Sequence, residues 1–459
     1  MSLYHDDIRA RHRSHCATVD GAVRSHETRS QARGNELCSG VSNVGDAPRQ
    51  PVIDFDHHSA EFAKDPDGRW KQLREQCPIA WSESYGGFWV VSDYEGNHEV
   101  LKNHEVFTTE RPPDDLEGTT LTIPKYPGEY LGSPEEYDPP YHTPLRRMLN
   151  AVSSPNASEA MMPRIRHWTT TCIDEVIESG RCDLVYDIAS PVPAYITLEW
   201  LGFPLDRARV ASDAYHDLLG FPPGTERFGA ALEKKSIVER LLEETVAARR
   251  QEPKDDTISY FAHYQIDGKP LSDRSIVEMC LTLVGGGVDS TTSLTSNALV
   301  HLQQDPQLRQ RLVDEPELLE PATEEFLRFY APFGTIARTV RKETELRGCP
   351  MHVGDRVLVS RHSGNHDATA FPDPERFIPD RFPNRHVSFG LGVHRCSGSH
   401  VARLMFREMI SQILTRMPDY HIDEAAMQRY PDRGFVQGWV NLPATYTPGV
   451  RSASALSAS

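Results

Sequence analysis

The chain has 459 residues, 38% of them hydrophobic and 25% charged, with a formal net charge of -17. This is a globular composition with enough chain for a large buried core. The acidic balance excludes a general nucleic-acid binder. No run of about eighteen apolar residues is present to cross a membrane.

The opening MSLYHDDIRARHRSHC has no apolar stretch of the signal-peptide kind. Eight cysteines stand at 16, 38, 77, 172, 182, 280, 349 and 396, with no Cys-x-x-Cys pair among them. Reduced thiols in a cytoplasmic protein are therefore expected. Residues 1–50 are polar with charges of both signs and are expected to be a disordered tail. Residues 449–459, ending RSASALSAS, are expected to be another. That leaves 51–448 as a single domain.

Within it the pattern is mainly α with a smaller β region. PIAWSESYGGFWVVSDY predicts a hairpin turning at Gly86-Gly87. MMPRIRHWTTTCIDEVIESG predicts an amphipathic helix with Ile165, Trp168, Cys172, Val176 and Ile177 on one face and Gly180 as its cap. VERLLEETVAARRQ is a second helix. Near the end, GFVQGWVNLPATYTP predicts a strand pair.

Three stretches break the ordinary pattern. SDRSIVEMCLTLVGGGVDSTTSLTSNALVHLQQDP reads as one helix from a Ser272-Asp273 cap to Pro306, yet it holds Gly285, Gly286 and Gly287 in a row. Each interior glycine costs roughly 1 kcal/mol relative to Ala. Either another helix packs closely there, with Asp289 in a structural ion pair, or something flat approaches the backbone. Asp289, Ser290, Thr291 and Thr292 follow, and such side chains can open a turn and hold water.

TEEFLRFYAP places Glu325 and Arg328 three apart on one helix face. Arg376 in FPDPERF is expected to complete a Glu–Arg–Arg cluster. Finally, SFGLGVHRCSG sets Cys396 just before a helix whose apolar positions run from Ala402 to Met417. A helix N-terminus favours an anion and so a thiolate. Gly390, Gly392 and Gly398 leave room around the sulfur. His394 or His400 would serve as the base of a Cys–His nucleophile. A zinc site would want a second cysteine nearby, and none is. A single axial thiolate to haem iron needs only Cys396, and haem is also flat.

At this point the residues resemble a known family. SFGLGVHRCSG resembles the haem-binding signature of the cytochrome P450 superfamily, with Phe389, Gly392, Cys396 and Gly398 at its fixed positions. EEFLR, PERF, GGVDST and DPPYHTPLRRMLN resemble its Glu-x-x-Arg helix, its third cluster member, its oxygen groove and its propionate-binding helix, in the family's order.

The resemblance implies a P450 fold with haem b between the glycine-containing central helix and the Cys-loop helix. Cys396 would be the axial thiolate, with Phe389, Gly286 and Gly390 against the haem. His142, Arg146, Arg338 and His386 would hold its propionates. Asp289 and Ser290 would be the acid–alcohol pair that delivers protons, with Thr291 next in line. The family more often has Thr where Ser290 stands. Thr282, Leu283, Phe333, Thr335, Ile336, Phe435 and Val436 would line the substrate pocket. The segments TTLTIPKYPGEYLGSPEEY and GFPPGTERF would roof it.

The implied reaction is monooxygenation of a medium-sized apolar or amphipathic molecule. O2 and a separate ferredoxin with its ferredoxin reductase would be the partners. Arg146, Arg147, Arg403 and Arg407 would form the docking patch. Two other readings stay open: an atypical haem-thiolate reaction, peroxide-driven or coupling, and a non-catalytic haem sensor.

Overall fold

The computed structural model describes residues 51–112, 115, 118–126 and 130–452. The expected tail at 1–50 lies outside the described residues, as do 453–459. The second expected tail starts too early. Gly449 donates its N–H to the Ile177 carbonyl at 2.9 Å, and Ser452 donates to Asp174 Oδ1 at 3.1 Å, so the chain is held to the 162–176 helix through 452.

The fold is mainly helical, with a six-stranded mixed sheet at one side. The hairpin forms as the sequence predicts: Ile79–Ser82 pairs antiparallel with Phe88–Val91. A Cβ on Gly87, at φ +102°, would lie 2.2 Å from the Trp81 ring, so the turn requires glycine. The sheet continues through Arg356–Ser360 and Thr335–Val340. In that register Ser360 faces Thr335 and Val357 faces Arg338. Trp70, Phe88 and Leu358 fill one face of the sheet and Trp89, Val91 and Val357 the other. Alternation along each strand puts successive side chains on opposite faces.

The strand pair expected at 434–448 is not one. Trp439–Asn441 pairs with Gln428–Arg429, while Pro443–Thr445 sits between His421–Ile422 and Arg181–Asp183. Only Leu442 separates the two strands, too little chain to reverse them, so each finds a distant partner.

The central helix spans Asp273–Gln304, with Ser272 as N-cap accepting from the Ser275 N–H. It buries Val284, Val288 and Cys280 against one apolar cluster and Leu294, Leu299 and Leu302 against another. The Ser399–Arg416 helix packs Met405, Phe406, Met409 and Ile413 into the second of these. Together the two helices hold the groove and the Cys loop in fixed relation. Among the described residues, no helix is long and apolar enough to cross a membrane.

Candidate active site

The glycine run divides by direction. A Cβ on Gly285 would meet the Tyr215 ring at 2.9 Å, and one on Gly287 would meet Thr197 Oγ1 at 2.9 Å. These two glycines serve close helix packing. Gly286 is different: nothing lies within 4 Å of its Cβ position, and it is exposed between buried turns. It therefore faces an open groove. Ser290, one turn on, donates its hydroxyl to the Gly286 carbonyl at 2.7 Å. That bond pins the rotamer that the missing methyl would otherwise leave loose. Thr291 is buried, and its hydroxyl has no hydrogen-bond partner.

Asp289 turns away from the groove. Its carboxylate is fully buried, where Oδ1 accepts from His216 Nδ1 at 2.9 Å and from the Tyr430 hydroxyl at 2.8 Å. His216 also donates Nε2–H to the Val440 carbonyl at 3.1 Å. The Tyr430 hydroxyl also lies 2.7 Å from His216 Nδ1, and the Asp289 carboxylate and Val440 carbonyl at the two ring nitrogens favour the protonated form. Burial pulls its pKa down, but the hydrogen bond and charge of Asp289 outweigh that and leave it raised.

The Cys loop is built by backbone. The Cys396 N–H donates to the Phe389 carbonyl at 2.8 Å. Gly390 and Gly392 sit at φ +67° and +69°, where side chains are strained. Cys396 is a free cysteine open to space although protein surrounds it. Burial raises its thiol pKa, against the pull of the Gly398 N–H and of Arg146 and Arg361. The sequence reading credited the helix end with making the thiolate. Burial is stronger, so a bound cation is what would hold the sulfur ionised.

Around this space stand cationic and imidazole groups short of partners. Arg338 is 3% exposed and, among the described residues, donates only to the Ala337 carbonyl at 2.8 Å. Burial pushes its pKa down to about 10. His142 and His394 pack their rings 4.8 Å apart. His394 Nε2 donates to Asp138 Oδ1 at 2.7 Å. Among the described residues, His142 Nε2 and His394 Nδ1 have no hydrogen-bond partner. Burial, then the charge of His394, lowers His142 to about 4. Arg146 is half-buried and gives its Nε–H to Asn150.

A group with two carboxylates and a flat body fits the chemistry of these residues: underused buried donors, a bare Gly286 backbone and a free thiol. Cys396, Arg338, Arg146, His142 and His394 would hold it.

His386 does not belong to that set. Its Nε2–H goes to Glu324 Oε2 at 3.1 Å and its Nδ1 accepts from the Ser388 N–H at 3.3 Å, so both nitrogens are engaged. His394, first weighed as a nucleophile's base, stands in the cluster instead. Arg376 is also corrected. The third member of the Glu–Arg–Arg cluster is Arg381, whose Nε bonds both oxygens of Glu325. Arg376 contributes only its carbonyl, to Arg328 and Arg381.

Two pocket assignments change as well. Thr335 gives its hydroxyl to the Gly434 carbonyl at 2.7 Å. Val436 is fully buried and bridges Phe333. Thr282, Leu283, Phe333, Ile336 and Phe435 remain half-buried. Of the expected docking arginines, Arg403 is clamped by Glu324 and Arg407 pairs with Glu320 at 3.2 Å.

Sequence reasoning missed Glu135. Burial pushes its carboxyl up to about 7, and its Oε2 has no partner. It acts electrostatically on Arg146 and Cys396, so it belongs to the same region. It also missed His216 and Tyr430, which no local motif marks.

The family model described as Cytochrome P450 matches residues 210–418. The steroid C26-monooxygenase of Mycolicibacterium smegmatis is 30% identical over 365 residues, covering 78% of this chain and 90% of the relative. The chain belongs to the cytochrome P450 family.

This P450 is also 28% identical over 397 residues to the mycinamicin IV hydroxylase/epoxidase of Micromonospora griseorubida, covering 83% and 95% of the two chains. Its fold matches CYP109E1 from Bacillus megaterium in complex with testosterone, with a TM-score of 0.74 and 28% identity over 85% of this chain and all of that one. It is accordingly an oxidoreductase, a P450 monooxygenase, and the family implies a haem-thiolate cofactor.

Proposed function

We propose that this P450 binds haem b through Cys396 and inserts one atom of O2 into a medium-sized apolar or amphipathic organic molecule. The observation that carries the reading is the groove itself. Gly286 presents bare backbone and Ser290 a fixed hydroxyl on the central helix, and Cys396 is a free, open thiol on the glycine-bounded loop. When bound there, haem supplies the redox chemistry that activates dioxygen, and thiolate ligation favours O–O cleavage.

The protein supplies the rest. Leu283, Phe333, Ile336 and Phe435 offer an apolar lining, with the Thr282 hydroxyl turned back to the Glu278 carbonyl. Such a lining selects by shape and desolvation. Relatives named for a steroid and for mycinamicin IV support a bulky hydrophobic molecule. Ser290 holds a proton at the groove, and Asp289 sits directly behind it. Electrons would come from a separate ferredoxin and its reductase. Arg147 and Arg395, exposed near the haem-binding helix and the Cys loop, would meet an acidic partner. The free thiols of the described cysteines support a reducing compartment such as the cytoplasm.

One observation favours a second reading. Asp289 is locked to His216 and Tyr430, which would slow proton delivery and suit peroxide-driven oxidation or oxidative coupling.

The test is a titration of the purified ferric protein with steroids, terpenoids, fatty acids, aromatics and macrolides, watching for a low-to-high-spin shift. Hits are then turned over with ferredoxin, reductase and O2, or with peroxide alone. Product only with peroxide would favour the second reading. The reduced carbon monoxide band, and its loss in Cys396→Ser, checks the thiolate.

A further inference from the structure

Arg361 is a buried arginine for which neither the family resemblance nor the lining accounts. It follows directly on the Arg356–Ser360 strand and is 8% exposed. The register that sets Ser360 opposite Thr335 brings Arg361 alongside the strand that carries Arg338. Its guanidinium makes two long contacts, to the Thr335 carbonyl at 3.3 Å and the Ser388 carbonyl at 3.5 Å. Its Nε has no hydrogen-bond partner among the described residues. Among the described residues, no carboxylate forms an ion pair with either Arg361 or Arg338.

Two guanidinium groups are thus buried near each other and hydrogen-bonded to carbonyl oxygens, with the Asp138 charge acting on Arg338 but not paired to it. Burial pushes Arg361 down to about 10, with Cys396 pulling the other way, and Arg361 in turn lowers Arg338. Buried like charges without a counter-ion are strongly unfavourable. A carboxylate placed between them would accept two charge-assisted bonds and relieve the repulsion. The Ser388 carbonyl belongs to the segment that leads into Phe389 and Cys396, so Arg361 borders the Cys loop.

We propose that Arg361 and Arg338 form a paired-arginine carboxylate site, and that its occupant is a haem propionate. The inference rests on the P450 reading and adds a residue to it. It assigns Arg361 as a cofactor-binding residue that acts by holding the haem. The same chemistry would also take the carboxylate of an acidic substrate, and the test separates the two.

Holoenzyme of wild type, Arg361→Gln and Arg361→Lys is mixed with excess apomyoglobin, and the rate of haem loss is followed. Losing a charge-assisted bond should speed loss by roughly tenfold to a hundredfold in Arg361→Gln, with partial rescue in Arg361→Lys. Repeating the measurement with haem dimethyl ester should erase the difference between wild type and Arg361→Gln. Unchanged haem loss in Arg361→Gln, or equal acceleration with the diester, overturns the assignment.

Unchanged haem loss together with weaker spin-shift binding of fatty acids, but not of their methyl esters, would move the site to a substrate carboxylate and overturn the propionate. A changed reduction potential without changed haem loss would make Arg361 a partner of the Cys396 thiolate, and also overturn it. If Arg361→Gln fails to fold, Arg361→Lys with both haems carries the comparison. A wild type without the red-shifted carbon monoxide band would sink the haem-thiolate reading itself. With the band present, failure touches Arg361 alone.

Discussion

Arg381 Nε lies 3.1 Å from each carboxylate oxygen of Glu325, and Arg328 grips the same two oxygens at 2.8 Å. The Ile378 N–H and Asn384 also donate to this carboxylate. One buried anion thus organises two cations and the chain that leads into the Cys loop. Removing one partner of a buried charge network costs about 3–5 kcal/mol. Arg381→Ala should lose about that much in denaturant unfolding, with poor haem retention. Arg376→Ala keeps the carbonyl that the cluster uses and should change stability by no more than about 0.5 kcal/mol. Equal losses in the two variants would refute this division.

That pair shows where the sequence was legible. Phe389, Gly392 and Cys396 lie within eight positions, so local spacing alone exposes them. The Pro-x-Arg-Phe pattern occurs twice, as PERF and PDRF, and nothing local says which arginine turns inward. The glycine run pointed correctly to a crowded helix. Only the rotation of about 100° per residue separates packing glycines from a groove glycine. His216 and Tyr430 lie 73 and 141 residues from Asp289, where periodicity carries no signal. The C-terminal strands went astray for the same reason: pairing of three-residue strands is set by distant partners.

The glycine directions are testable one by one. Gly287→Ala must push its methyl toward Thr197 Oγ1 and should destabilise the protein by about 1–3 kcal/mol. Gly286→Ala meets nothing within 4 Å and gains helix propensity of roughly 1 kcal/mol. It should unfold no more easily than wild type, yet its methyl enters the groove and should weaken the spin-shift response to substrates. Urea melts and spin-state titrations of both variants decide. A Gly286→Ala protein that binds substrates normally would mean that this face is not the groove.

Ser290 and Thr291 divide in the same way. Ser290 sits at the groove, bonded to the Gly286 carbonyl, whereas Thr291 is buried. Ser290→Ala should lower product formed per electron and raise peroxide release. Thr291→Ala should leave that ratio unchanged and cost at most about 1 kcal/mol of stability for its lost methyl. Coupling measurements with one turnover of reductant give the answer. If Thr291→Ala alone uncouples, the relay hydroxyl has been assigned to the wrong residue.

The Asp289–His216 pair should leave a signature in pH. The His216 pKa is raised above its ordinary value of about 6.5. A raised histidine pKa means that the folded protein binds a proton which the unfolded chain has already lost. Its stabilisation is therefore complete below about pH 6.5 and is lost as pH rises through the folded pKa. His216→Gln keeps a donor toward Asp289 but removes the charge. At pH 6 it should be less stable by about 3 kcal/mol, because a buried carboxylate loses its cation. That deficit should narrow with rising pH, by at most ~1.4 kcal/mol per pH unit. Urea unfolding of both proteins between pH 6 and 9 provides the curve. Parallel curves would mean that His216 is neutral in the folded protein and that the pair holds by hydrogen bonding without an ion pair.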